Sequence, residues 1–146
     1  AALDVETLRR SWPAREEVLA AVRAAHTTPG LDEAAVAETM AKWVDADALG
    51  RRLTLLADRW PALRDRLGTQ LLPAERLGEL LAAAGCPTRP SELGLTPSAF
   101  RATYERARMI RRRYTVLDLA AETGLLGELV DELFATGGIW ADEASG

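Results

Sequence analysis

This sequence has few of the residues from which reactive centres are built. Among 146 residues there is one cysteine, one histidine and, at Lys42, one lysine. A lone Cys86 cannot form an internal disulfide, which favours a reducing, cytoplasmic setting. One histidine and one cysteine far apart in sequence do not suggest a zinc or iron site, which usually needs several His, Cys or carboxylate ligands. Aromatic residues make up only 5%, so the core must be built mainly from Leu, Val and Ala. No apolar run is long enough to span a bilayer, and no signal peptide opens the chain. Alternating β-branched runs, which would announce strands, are missing. No glycine-rich phosphate loop follows a strand, so neither a Walker motif nor a dinucleotide fingerprint is present.

What remains is a helix-forming composition. Hydrophobic residues make up 48%, and Ala and Leu are strong helix formers and weak strand formers. The length suits one domain with a single core. The net charge of -4 and a pI near 5.1 argue against general nucleic-acid binding. The expectation is an all-α, multi-helix bundle of about seven to nine helices.

The chain reads as helices over residues 3–10, 14–25, 31–44, 46–60, 73–84, 97–113, 116–123 and 125–135. Ser11 or Trp12, Asp45, Thr96 and Thr115 are the expected N-caps, and Gly85 and Gly124 the expected C-terminal stops. Pro61 either starts a new turn or bends the fourth helix, and residues 68–70 read as a break. The expected inward faces include Leu31, Ala35 and Val36, then Leu49, Leu53, Leu56 and Trp60, then Leu77, Leu80 and Leu81, and finally Val116, Leu117, Leu129 and Val130. Residues 1–140 form a single helical domain or part of one, and residues 141–146 a frayed tail.

The stretch from Ala107 to Gly124 organises the rest. It ends one helix in arginines, turns at Tyr114-Thr115 and starts another helix at once, with Asp118 three residues beyond Thr115 as in a capping box. Arg101, Arg106, Arg108, Arg111, Arg112 and Arg113 are the one distinctive charged cluster. If the helix continued through them, Arg101, Arg108 and Arg112 would share a face. Guanidinium forks bind phosphate bidentately, so Arg108, Arg111 and Arg112 are candidates for an anion site or an interface. Equally, cations are favoured at a helix C-terminus and can pair with Glu105, Asp118 or Glu122. No carboxylate pair stands out as an acid/base dyad, and no residue is assigned to catalysis, cofactor binding or metal ligation. His26 reads as a solvated loop histidine, Cys86 as a small packed side chain, and the four tryptophans as packing anchors.

Two segments carry a resemblance: 80-LLAAAGCP-87, followed by Pro90 and 92-ELG-94, and 106-RARMIRRRYTVLDL-119. Together they resemble the C-terminal region of bacterial glycerol-1-phosphate dehydrogenases of the AraM type, within the iron-containing alcohol dehydrogenase and dehydroquinate synthase-like superfamily. The likeness is most specific over residues 80–126. It implies a helical domain that follows a nucleotide-binding α/β domain, and oxidation or reduction of a polyol phosphate with NAD(P) and a divalent metal. The family's glycine-rich cofactor segment and its Asp and His metal ligands find no counterpart here, and His26 lacks the His-Gly-Glu context of the family's ligand.

The chain opens on Ala1 rather than Met, so it is read as a processed chain, one domain of a larger protein or a fragment. The expected partners are a nucleotide-binding domain or subunit and further copies of the chain, with no nucleic acid and no membrane. The alternative is a stand-alone interaction module, or half of a split enzyme, that binds a protein or a phosphorylated ligand through the arginines.

Overall fold

The computed structural model describes residues 3–143, and these are all-helical, with no strand among them. Eight α-helices follow in order: α1 (Val5–Arg10), α2 (Arg15–Ala25), α3 (Leu31–Met40), α4 (Ala46–Gln70), α5 (Ala74–Ala83), α6 (Pro97–Met109), α7 (Val116–Glu122) and α8 (Leu126–Phe134), with a 3-10 turn at Pro90–Leu93 before α6. No helix among the described residues is long and apolar enough to cross a membrane.

Local chemistry explains most helix starts. Asp45 Oδ1 accepts from Ala48 N at 2.7 Å, and Thr96 Oγ1 accepts from Ala99 N at 3.2 Å, each satisfying an amide that the first turn leaves unpaired. At α2 the cap is Ala14 rather than Ser11 or Trp12. Glu17 compensates by accepting from the Ala14 amide at 2.7 Å.

Two stops expected at glycine are formed there. Gly124, at φ 72°, closes α7 with Leu125 N donating to Ala120 O at 2.8 Å and Gly124 N to Ala121 O at 3.1 Å, the double bond of a Schellman turn. Gly85 closes α5 the same way, through Cys86 N to Leu81 O at 2.9 Å and Gly85 N to Ala82 O at 3.0 Å.

Two clusters of buried residues pack the bundle, besides the fully buried Leu49 and Leu53 of α4. Val22, Ala35 and Met109 bring α2, α3 and the end of α6 together. Ala120, Leu126 and Val130 join α7 to α8, with Tyr104, Leu117 and Phe134 against them. Beyond this, Phe100 meets Tyr104, Phe134 and Trp140 at ring-centroid distances of 5.5, 5.9 and 5.2 Å. The edge-to-face pairs with Tyr104 and Trp140 add about 0.5–1.5 kcal/mol each beyond burial. Trp140 Nε1 also donates to Tyr104 Oη at 2.8 Å, so the chain after α8 returns to α6 through Trp140. Of the tail expected to fray, residues 141–143 are described, and Glu143 accepts from the Ser91 amide at 3.2 Å and the Ser91 hydroxyl at 3.1 Å.

Several expectations are corrected. α4 runs without a break through Pro61 and residues 68–70 to Gln70. Leu49 and Leu53 in its first half are fully buried, but Trp60 is exposed. α5 forms with the expected leucine spacing yet buries none of its residues. Val116, Leu129 and Leu31 are also exposed. Helical periodicity shows which side chains share a face; what covers that face is a matter of tertiary structure.

Candidate functional site

The corner between α6 and α7 is gripped by Glu38 and Thr39 in the last turn of α3 and by Lys42 in the turn that follows it. Glu38, Thr39 and Lys42 fall within four positions of one another, so one side of that helix end presents all three. Thr39 Oγ1 donates to Met109 O at 2.8 Å in a buried contact. Lys42 Nζ donates to Arg108 O. These two carbonyls belong to the last turn of α6, where no intrahelical amide is available to them. Glu38 accepts from the Arg112 amide at 2.8 Å and from its guanidinium at 2.5 Å.

Lys42 also meets Asp118 Oδ1 at 2.6 Å, with side chains 9% and 6% exposed. Asp118 Oδ2 accepts from the Thr115 amide at 2.8 Å and the Thr115 hydroxyl at 2.9 Å. The capping acid expected from sequence therefore has a second task, which is to neutralise the chain's one lysine. A turn further along α7, the buried Glu122 pairs with Arg52 of α4 and accepts from Tyr114 Oη at 2.8 Å. Arg52 lies over the Tyr114 ring, 5.2 Å from its centroid, an attractive cation–π placement. Burial first and the Glu122 carboxylate second push the Tyr114 phenol well above its ordinary pKa, because both disfavour the phenolate. The Arg112 guanidinium holds Glu38 below the usual carboxylate range, and Glu38 in turn raises Arg112.

Beside this network lies a cavity of about 250 Å³, lined among others by Trp12, Pro13, Lys42, Trp43, Tyr114 and Asp118. Trp12 Nε1 donates to Val44 O at 2.8 Å, whereas Trp43 Nε1 is buried without a hydrogen-bond partner. The wall is mixed, with Leu8, Pro13 and Val18 beside Lys42, Asp118 and Glu122, and its charged groups are already paired, Lys42 with Asp118 and Glu122 with Arg52.

The three candidate arginines separate. α6 ends at Met109, so Arg111, Arg112 and Arg113 stand in the loop and do not share a helical face with Arg101 and Arg108. Arg108 pairs with Glu105 at 2.6 Å, and Arg112 with Glu38. Arg111, like Arg106 and Arg113, is exposed and makes no ion pair among the described residues. Arg101 pairs with Asp131 of α8. The acids expected to balance the arginines of α6, Asp118 and Glu122, are taken instead by Lys42 and Arg52.

Two single residues are also corrected. His26 is 7% exposed, not solvated; its amide continues α2 by donating to Val22 O at 3.1 Å, and its Nε2 has no partner. Cys86 is exposed, not packed, since it follows the end of a helix that buries nothing. Among the described residues no group of three His, Cys, Asp or Glu side chains could hold a metal ion. The divalent metal implied by the family resemblance thus has no ligand set here. Lys42 and Arg52 were beyond sequence reasoning because their partners lie 76 and 70 residues away. The one available hint was a solitary lysine in a chain that otherwise uses arginine.

Compared with models of protein families, with curated proteins and with solved structures, the chain matches none.

Proposed function

We propose that this chain is the helical portion of an NAD(P)- and metal-dependent glycerol-1-phosphate dehydrogenase working in the cytoplasm. In this reading it forms one wall of the substrate cleft and makes domain or subunit contacts, while nicotinamide and metal are held by a nucleotide-binding part. The reading is supported by the likeness over residues 80–126. The observation that carries it is the committed state of the corner. Lys42, Asp118, Glu122, Arg52 and Tyr114 satisfy one another, so the strongest polar groups of the site fix the angle between α6 and α7. Groups locked in this way preorganise a surface; they do not stand ready to exchange protons or bind a metal. The test is turnover. Incubated alone with NAD(P)H, dihydroxyacetone phosphate and a divalent metal, the chain should show none. Turnover comparable to a complete enzyme would refute this reading.

A second reading has its own observation. Arg111 and Arg113, unpaired and exposed in the corner loop, could serve a stand-alone module that captures a phosphorylated ligand. In that case inorganic phosphate would bind saturably to the native chain and not to an Arg111→Gln/Arg113→Gln variant.

A further inference from the structure

The second half of α4 and the whole of α5 carry apolar stripes, bordered by arginine, that the fold leaves uncovered. In α4, Leu56, Trp60, Leu63 and Leu67 recur at spacings of four, three and four, which places them in one stripe. Arg59, Arg64 and Arg66 border that stripe, while Asp58 and Asp65 stand on the opposite side of the helix. In α5 the stripe is Leu77, Leu80 and Leu81, with Arg76 at its border and Glu75 and Glu79 behind. Arginine thus rims both stripes. Arg59, Arg64 and Arg76 reach back to Asp58, Asp65 and Glu79 at 3.1, 3.3 and 2.6 Å, while Arg66 makes no ion pair among the described residues; such solvent-exposed pairs contribute little, so carboxylates of a partner can replace them. No residue is buried from Ala57 to the end of α5, and Trp60, Leu71, Leu72, Leu77, Leu80 and Leu81 are 41–66% exposed.

The complement of this pattern lies elsewhere on the same chain. The outer face of α8 carries Leu125 and Leu129, 43% and 44% exposed, with Glu128 and Glu132 beside them at helical spacing. Neither glutamate makes an ion pair among the described residues, and α8 holds no basic residue. Lengths agree as well. The stripe from Leu56 to Leu67 spans about 16 Å and the nine residues of α8 about 13 Å at 1.5 Å per residue.

We infer that this chain pairs with a second copy of itself, the arginine-rimmed leucines of α4 and α5 receiving the glutamate-rimmed leucines of the other copy's α8. Made reciprocally, the contact closes as a two-fold dimer. Pairing α4 with α4 instead would set arginines against arginines, because charges at the flanks of an apolar stripe select the partner. The inference does not depend on the dehydrogenase reading, and its test reads mass and not turnover.

The experiment is sedimentation velocity over a range of concentrations on the native chain, on Arg59→Glu/Arg64→Glu/Arg66→Glu and on Glu128→Arg/Glu132→Arg. Circular dichroism would verify that each remains helical. The native chain should dimerise. Each variant alone, carrying like charge on both surfaces, should dissociate with a constant raised on the order of tenfold or more. An equimolar mixture of the two should recover the dimer, because both contacts are then complementary again. A native chain that stays monomeric overturns the inference. So does a dimer that neither reversal weakens, or a mixture that fails to recover.

Discussion

Lys42 Nζ lies 2.6 Å from Asp118 Oδ1, both side chains nearly closed to solvent. Through this contact the turn after α3 holds the first turn of α7. Removing one partner of such a pair strands the other as an uncompensated buried charge, at a cost of about 3–5 kcal/mol. Lys42→Met should therefore lower the unfolding free energy by that amount in urea titrations. Lys42→Met combined with Asp118→Asn should lose less than Lys42→Met alone, since the amide can still accept from Thr115. A double variant as damaged as the sum of the two single changes would mean that the two residues act separately.

Tyr114 offers a pH test. Its phenol is held above its ordinary value of 10.0 in the folded chain. A raised folded pKa means that the folded state keeps a proton the unfolded state gives up. The stabilisation is thus whole below pH 10 and fades as pH rises beyond it. Absorbance titration of native protein should show Tyr114 ionising later than a free tyrosine, and Tyr114→Phe should remove that late component. The same substitution should cost about 1 kcal/mol at neutral pH, a modest loss because the ring is half open to solvent and Arg52 still faces Glu122.

Acid should act in the opposite sense. Glu38, Glu92 and Asp4 all sit below their ordinary values: Glu38 through Arg112, Glu92 through the Thr88 and Arg89 amides, and Asp4 through Thr7. Depressed carboxyls contribute stability that is present above about pH 4.5 for the glutamates and 3.8 for Asp4, and it is lost as pH falls through the lower folded values. Melting temperature should drop below pH 4.5, and Glu38→Gln should flatten part of that drop. An unchanged acid limb in Glu38→Gln would show that the Arg112 contact is not maintained in solution.

Two glycines should respond with opposite signs. A Cβ on Gly138 would collide with the carbonyl oxygens of Glu132 and Leu133, where the chain turns back to bring Trp140 N to Leu133 O. Gly138→Ala should cost about 1–3 kcal/mol through overpacking. A Cβ on Gly68, inside α4, meets nothing within 4 Å, and Gly68→Ala should stabilise by roughly 0.5–1 kcal/mol. Thermal melts of the two variants would check both.

Helix starts and stops were legible where one side chain decides them, as at Asp45, Thr96, Thr115, Gly85 and Gly124. These depend on contacts within four residues. Residues 68–70 proved unreadable because the surrounding Leu, Arg and Ala outweigh one glycine, and Pro61 because its missing N–H removes a single hydrogen bond from an exposed stretch. The Asp118 cap could be read from sequence, but its bond to Lys42 could not, since nothing local marks a contact across 76 residues. His26 and Cys86 were misjudged for the same reason: exposure is decided by what packs above a loop. The leucines of α5 showed their face correctly and their burial wrongly, because this chain supplies no cover for them among the described residues.

Complementation tests the central claim, that the corner is a prepared wall for chemistry encoded elsewhere. The chain would be mixed with the nucleotide-binding domain of a glycerol-1-phosphate dehydrogenase from which the helical domain has been removed, and NAD(P)H oxidation by dihydroxyacetone phosphate followed with metal present. The account predicts turnover in the mixture, none in either part alone, and a large loss with Lys42→Met. A mixture that stays inactive although the two parts sediment together would contradict it.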